Sequence, residues 1–319
     1  MKELEREALL ADREAVRTIL AEIPESDPLG RLSFQSRLSA IESRLDELSR
    51  TLVTRGSVAL MFGGLPVLGS RSVDAAFASA AVEHFQELVQ KRVAAEELGP
   101  LGSRGPVPLR TQANLAITDM VRGSVGFVLE ESTPNEDIAD TVVKNAIDDI
   151  ARVVVSTGAE SEEEFERAVE SLDQRLLVAL RKFFKTLDDT QATVRIVENE
   201  RDAQLDSNAI RRGRLRVDAT DIRDEESEQV VGELLGILPA SKRFEMRLVG
   251  TGETIHGPVA ATIAPTYLHS IELPGQTPVV GRVWRAKMKI RVITERNKPP
   301  RSLYTLLGLI EPVEPRHLK

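Results

Sequence analysis

Apolar residues recur at two different periods along this chain of 319 residues, and the change of period divides it into parts. Toward the N-terminus most of them repeat every three or four residues, which is typical of amphipathic helices. From about residue 230 onward, short alternating runs are separated by glycine turns, which is typical of strands. We therefore predict an α+β protein with an N-terminal helical hairpin, a mixed strand–helix core with packed helices, and a C-terminal small β-barrel of SH3-like or OB-like type.

The N-terminal residues are predicted to form two helices. The first covers residues 2–23 and is broken by Pro24 and by the segment Pro28–Gly30. A second helix follows Ser33, and six of its apolar residues are spaced by alternating steps of four and three, as in a heptad seam. These residues are Phe34, Leu38, Ile41, Leu45, Leu48 and Leu52.

This heptad seam has two interpretations. It can pack against the first helix of the same chain as an antiparallel hairpin, or it can form a coiled coil through which two chains self-associate. A coiled coil usually shows three or four heptads, and the seam has nearly three, which favours the hairpin. Because a hairpin can itself contact a second chain, we keep self-association as an expectation.

The centre of the chain is predicted to form an α+β core. The segment from Arg55 to Glu131 opens with Arg-Gly-Ser-Val, and the same four residues recur near its end. Each copy leads into an apolar run that predicts a strand. A long amphipathic helix over residues 73–96 and a loop rich in glycine and proline at residues 99–108 lie between them.

Helices and one strand are also predicted in the rest of this core. Capping residues place helix starts at Thr133 and Ser161, and the apolar stripe of the second helix continues to Leu187. Residues 193–197 read as a strand. Residues 202–212 read as a short helix that ends at the following glycine.

The domain boundaries are predicted from a change of composition. Six acidic residues lie between Asp218 and Glu228, which predicts a solvated connector. After the connector, five short strands with glycine at the bends predict the small barrel. The expected domains are a hairpin or coiled coil at 1–53, an α+β core at 54–217, the acidic connector at 218–228 and the barrel at 229–319.

Composition excludes several classes of protein. The net charge is −8 and cysteine is absent, so the chain has no disulfide framework, no cysteine-ligated zinc and no thiol nucleophile. No segment approaches the roughly 20 apolar residues of a membrane span. The N-terminus is charged from Lys2 onward and shows no apolar signal region. We therefore expect a cytoplasmic protein of bacterial type with no membrane partner.

Signals for catalysis and for cofactor binding are weak. The Walker A loop and the Rossmann glycine fingerprint are absent, and the residues around Ser124 lack the spacing of a nucleophile elbow. His84 lies three residues before Glu87, but such a histidine is more often a hydrogen-bonded core residue. The pairs Asp148-Asp149 and Asp188-Asp189 suit exposed helix ends. We predict no cofactor and no metal, and we favour a protein that is not an enzyme.

The strongest functional signal is a basic strand near the C-terminus. Four of its cations alternate with apolar residues and therefore share one face of a strand. They are Arg285, Lys287, Lys289 and Arg291, with Arg282 and Trp284 just before them and Arg211 and Arg212 in a second cluster. Such a face could follow a phosphate backbone, with the tryptophan stacking on a base. It could also be ordinary solvent cover, or meet acidic stretches of this chain or of a partner.

These patterns favour a non-catalytic interaction or scaffold protein in a multi-protein system. Its hairpin would drive self-association and the basic face of its barrel would bind a protein partner. The first alternative is a nucleic-acid-binding accessory factor that uses the basic face. The second is an enzyme with a site between the 99–108 loop and the turn at Gly123.

Overall fold

In a computed structural model the chain forms two compact units. The first unit comprises Met1–Glu96, Pro106–Ala168 and Ala179–Arg214, and the second comprises Glu97–Gly105, Val169–Val178 and Leu215–Lys319. The structure describes residues 2–24, 26–50, 53–69, 72–99, 101, 105–121, 125–132, 139–199, 201–238, 242–260, 279–296 and 298–313.

Helices and strands are mixed along the chain. The helices are α1 (Lys2–Glu22), α2 (Pro28–Arg50), α3 (Ala75–Leu98), α4 (Val142–Gly158), α5 (Glu162–Glu170), α6 (Gln174–Asp189) and α7 (Ser207–Ala219). The strands are β1 (Ser57–Gly64), β2 (Val67–Leu68), β3 (Ser72–Val73), β4 (Leu115–Met120), β5 (Val125–Glu131), β6 (Ala192–Glu198), β7 (Arg201–Leu205), β8 (Thr220–Leu238), β9 (Arg243–Leu248), β10 (Thr254–Pro258), β11 (Val283–Glu295) and β12 (Arg301–Pro312). None of the helices in the described part of the chain is both long and apolar enough to cross a membrane.

The N-terminal helices form the predicted antiparallel hairpin. Ion pairs join α1 and α2 along their length: Arg44 pairs with Glu5 at 2.8 Å, and Arg37 pairs with Asp12 at 2.6 Å. Ile41 and Leu48 of the heptad seam are buried. The remaining seam positions in the described chain are half-buried, and Leu52 lies outside the described residues. The hairpin is confirmed, whereas a coiled coil between two chains stays a prediction.

The second helix begins earlier than predicted. Asp27 caps it, because its Oδ1 accepts a hydrogen bond from the backbone N–H of Gly30 at 2.9 Å. Pro28 therefore occupies the first helical position, where its missing N–H leaves no bond unmade. The expectation that this proline would keep the chain non-helical up to Ser33 was wrong.

An antiparallel five-stranded sheet is the centre of the first unit, in the order β4-β5-β1-β6-β7. The middle strand β1 is buried from Val58 to Phe62. One face of β1 meets α3, since the Phe62 and Phe77 ring centroids lie 5.1 Å apart. The other face presents Ala59 and Met61, which pack with Val197 and, on α1, with Leu4. The helical hairpin is therefore part of the first compact unit.

Two predicted helices have different bounds in the structure, because Asp173 and Asp206 each cap the start of a helix. The predicted helix from Ser161 to Leu187 is divided into α5 and α6, and Asp173 caps α6 through the Leu176 backbone N–H at 2.8 Å. The predicted 202–212 helix starts instead with strand β7, after which Asp206 caps α7. Helix α7 continues past Gly213, where a side chain would clash with the Phe184 ring.

The helix predicted to begin at Thr133 also starts later. The predicted cap, residues 133–136, lies outside the described residues. Helix α4 starts at Val142, and its N-cap is Thr141, whose hydroxyl accepts a hydrogen bond from the Lys144 backbone N–H at 3.1 Å.

The second unit contains a curled antiparallel sheet in the order β10-β9-β8-β11-β12. Its edge strands approach each other: the Ala260 N–H donates to the Leu306 carbonyl at 2.9 Å, and Gly257 lies against the Tyr304 carbonyl with no room for a side chain. Buried Phe244 and Met288 lie in its core. The sheet is a half-barrel with the five predicted strands, so the predicted fold class is confirmed.

The acidic segment 218–228 differs from the predicted connector. Its residues form the end of α7 and the first half of β8, which pairs with β11 over most of its length. A run of acidic residues can form a strand here because the neighbouring strand is basic, so the cross-strand pairs are attractive.

Candidate functional site

The basic face of β11 is paired with acidic residues of the neighbouring strands. Arg291 lies directly across from Asp224 of β8, and both Arg291 and Lys289 contact its carboxylate at 2.9 Å. The side chains of both cations are 14% exposed. Burial alone would raise the pKa of Asp224, but hydrogen bonds from Arg291 and Lys289 hold it below its ordinary value. Both cations are therefore paired with an acid of the same unit.

The neighbouring basic residues are also mostly engaged. Arg285 pairs with Glu311 of β12 at 2.9 Å. The Trp284 indole N–H donates to the Val279 carbonyl at 2.8 Å, and its ring packs against the half-barrel core, so it is not a free stacking platform. Lys287 is half-buried on the same strand, and Arg282 is exposed at the turn before it.

The second basic cluster has a structural role in the first unit. Arg212 donates three hydrogen bonds to the carbonyls of Gly158 and Ala159, the shortest at 2.7 Å, and so caps the C-terminus of α4. Arg211 is exposed. Arg212 is therefore occupied within its own unit, and nucleic-acid binding stays an untested hypothesis.

The other weak candidates of the sequence have ordinary structural roles. His84 Nδ1 is buried and lies 3.9 Å from the Glu87 carboxylate, and burial lowers its pKa. Glu87 itself pairs with Lys91 at 2.8 Å. Asp188 and Asp189 both bind Arg214, and hydrogen bonds, first from Arg214, lower the pKa of Asp189. Ser124 and Gly123, like part of the 99–108 loop, lie outside the described residues.

A concave surface in the first unit is a groove that the sequence did not predict. It lies between α1 and the sheet face that carries Met61, and it has a volume of about 960 Å³. Met61 and Val128 form a buried apolar floor. Ala8 and Ala11 of α1 lie on one wall, and these small side chains leave space between helix and sheet. We call this concave surface the α1 groove.

The rim of the α1 groove is acidic. Its carboxylates are Glu5, Glu7, Asp119 and Glu130, and its cation is Arg195. Arg195 is neutralised by Asp202, at 2.7 Å from its Nε, and by Glu7 at 2.8 Å. Neither Asp119 nor Glu130 pairs with a cation in the described part of the chain. The groove therefore favours a cationic ligand over an anionic one.

The outer strand of the sheet borders this groove. β4 follows β5 at the edge of the described sheet, and Thr118, Asp119 and Met120 line the groove. Ile117 and Met120 are 55% and 54% exposed, so the edge carries apolar side chains that nothing in the described chain covers. Exposed sheet edges of this kind can pair with an added strand.

Sequence reasoning missed the α1 groove because its walls come from distant parts of the chain. The only local signal is in α1, whose predicted apolar stripe contains alanines where the second helix has leucines. Small residues on an inward helix face indicate either close packing or a gap, and the sequence cannot distinguish these cases.

Comparison with family models, with curated proteins and with solved structures finds no match for this chain. A function must therefore be argued from its own residues.

Proposed function

We propose that this protein is a non-catalytic interaction protein that binds a segment of a partner protein in the α1 groove. The observation that supports it is the combination of an apolar floor, an acidic rim and an exposed edge strand around one groove of about 960 Å³. The occupant is an extended segment in which basic and apolar residues alternate.

The chemistry of the occupant follows from the lining. The floor at Met61 and Val128 is apolar, so burial of apolar side chains there is favourable. The rim acids Asp119 and Glu130 lack a cation among the described residues, so lysine or arginine would complement them. In an extended segment, successive side chains point to opposite sides, which lets one side meet the floor while the other meets the rim.

Self-association is a separate part of the proposal. The seam residues Ile41 and Leu48 are buried within the chain and are not free for a second copy. Leu29 and Leu32, in the first turns of α2, are exposed and are the better candidates for contact between chains.

The test uses two labelled peptides of nine residues, one alternating lysine with valine and one alternating glutamate with valine. We expect the basic peptide to bind the full chain with a Kd on the order of 100 μM or tighter, and to weaken as salt rises, because the rim attraction is screened. Ala8→Arg places a cation in the groove and should weaken binding about tenfold or more. Fluorescence polarisation measures both.

The matched control is Ala21→Arg, the same change at an exposed position near the other end of α1. It should leave binding within about twofold. Equal binding of the acidic peptide, or equal effects of the two arginine variants, would show that the α1 groove is not the binding site.

A further inference from the structure

A second cavity, of about 410 Å³, lies in the first unit between α4 and the strands β6 and β7. Its apolar walls are Ala151 and Val155 of α4, Ile196 of β6 and Ala203 of β7. The volume lies in the range of pockets that hold small molecules, which are mostly apolar with a few convergent polar groups. It is separate from the α1 groove, because Ile196 is on the opposite side of β6 from Val197, which packs with Met61.

A buried carboxyl group lies at this cavity. Glu198 is 4% exposed, and burial, followed by the nearby Asp148 carboxylate, raises its pKa to about 7. Asp148 Oδ2 pairs with Lys144 at 3.0 Å, whereas its Oδ1 is buried with no hydrogen-bond partner in the described chain. Below neutral pH, Glu198 is therefore protonated and uncharged, and its O–H can donate a hydrogen bond. The neighbouring Asp148 Oδ1 is an acceptor without a donor in the described chain.

Two guanidinium groups line the same cavity. Arg201 lies 3.5 Å from the Glu198 carboxylate, which stops being an anionic partner when Glu198 is protonated. Arg152 pairs with Asp149 at 2.6 Å, but that carboxylate is shared with Arg92 at 2.5 Å. Arg92 also pairs with Glu96 at 2.8 Å, so the charge of Asp149 is divided between Arg152 and an arginine that has a second acid.

The remaining polar groups of the lining do not oppose an anion. Asp202 is bound by Arg195, and the hydrogen bonds from this arginine lower its pKa. Ser156 adds a hydroxyl group that can donate. With Glu198 neutral, the lining carries two guanidinium groups, Arg201 and Arg152, and its one remaining carboxylate, Asp202, is already bound by Arg195.

We propose that this cavity binds a small monocarboxylate with a short apolar body. Its carboxylate contacts the guanidinium groups of Arg201 and Arg152, and its body occupies the apolar space between Val155 and Ile196. Guanidinium groups suit this role because their forked donors match a carboxylate.

The probe is benzoate, titrated by calorimetry into the full chain at pH 6 and pH 8, where benzoate itself stays ionised. We expect binding at pH 6 that weakens about tenfold at pH 8, because the fraction of protein with neutral Glu198 falls by about that factor. Benzamide, which has the same shape and no charge, should bind at least about tenfold more weakly. Absence of benzoate binding at pH 6 up to about 10 mM, or equal binding of benzamide, would overturn the proposal.

Two variants assign the site. Arg201→Ala should weaken benzoate about tenfold or more, whereas Arg211→Ala, at another exposed arginine, should leave it unchanged. Glu198→Gln keeps the size of the side chain but cannot ionise, so it should bind benzoate equally at pH 6 and pH 8. A pH dependence that persists in Glu198→Gln would show that this group does not control the cavity.

Discussion

Strands β11 and β6 both carry ionisable side chains that are largely buried. The neighbouring residues favour the charged form of the groups on β11 and the uncharged form of the group on β6. On β11, Lys289 and Arg291 meet the carboxylate of Asp224, whose pKa is held low. On β6, Glu198 meets a second carboxylate, Asp148, and its pKa is raised to about 7. The β11 charges are stable as ions at neutral pH, whereas the β6 pair holds a proton that is lost near neutral pH.

The comparison shows that a run of charge in the sequence does not identify free charge in the fold. The basic strand is conspicuous in the sequence, yet its largely buried members Lys289 and Arg291 pair with Asp224 of the neighbouring strand. Glu198 is inconspicuous in the sequence, yet its carboxyl group lies at a cavity beside a second carboxylate, that of Asp148, and its pKa is raised. Perturbed groups of this second kind are the better indicators of a site.

The largest effect is expected from Asp224→Ala. The substitution leaves Lys289 and Arg291, both largely buried, without their shared carboxylate. Removing one partner of a buried ion pair usually costs more than the pair contributes, so we expect a loss of about 2–4 kcal/mol in the free energy of unfolding of the second unit. Trp284, the single tryptophan, lies in this unit, so urea unfolding followed by its fluorescence measures the loss.

The control for this prediction is Asp221→Ala on the same strand. The Asp221 carboxylate is 51% exposed and pairs with Arg223 at 2.9 Å, so its loss should change stability by less than about 0.5 kcal/mol. If the two variants unfold at the same urea concentration, the charges of β11 are not compensated in the way described above.

Much of the fold could be predicted from local patterns. The heptad spacing of α2 predicted the hairpin, and alternation with glycine bends predicted five strands in the half-barrel. Two of the errors lie where an aspartate caps a helix inside a predicted helix: Asp173 divides one predicted helix, and Asp206 delays another. A single capping residue determines where such a helix begins. The spacing of apolar residues does not indicate the position of that cap.

The candidate sites could not be predicted in the same way. The basic strand and the acidic segment were both visible in the sequence, but only strand register places Asp224 opposite Arg291. Likewise, Glu198 and Asp148 are fifty residues apart in the chain, and nothing local indicates that β6 and α4 bring them together. Their pKa values depend on distances and burial that exist only in the folded chain.

A smaller effect, of about 1–3 kcal/mol, is expected from Glu198→Gln at alkaline pH. The folded-state pKa of about 7 lies above the ordinary value of 4.5, so the stability that protonated Glu198 contributes is complete below the ordinary value and is lost as pH rises through about 7. Glutamine cannot ionise and avoids this loss. The variant should therefore be more stable than wild type at pH 8 and within about 0.5 kcal/mol of it at pH 5.

Urea unfolding followed by circular dichroism at both pH values measures this difference. Glu22→Gln, at an exposed carboxylate of α1, is the control and should track wild type at both pH values. A Glu198→Gln advantage that is the same at pH 5 and pH 8 would mean that the ionisation of Glu198 is not its cause.

The smallest effect is expected for nucleic acid. Because Asp224 pairs with Lys289 and Arg291, and Glu311 pairs with Arg285, a phosphate must compete with a carboxylate before it can bind these cations. A labelled single-stranded oligonucleotide should therefore bind more weakly than about 100 μM at 150 mM salt, the weak end of non-specific binding. Glu311→Gln releases Arg285 and should tighten the binding, measured by fluorescence polarisation, by less than about threefold. The control Glu253→Gln, at an exposed acid, should leave the binding unchanged. Tight wild-type binding with a steep salt dependence would mean that the β11 cations exchange their carboxylate partners for phosphate. Their ion pairs would then not prevent binding, which would contradict the comparison of β11 with β6.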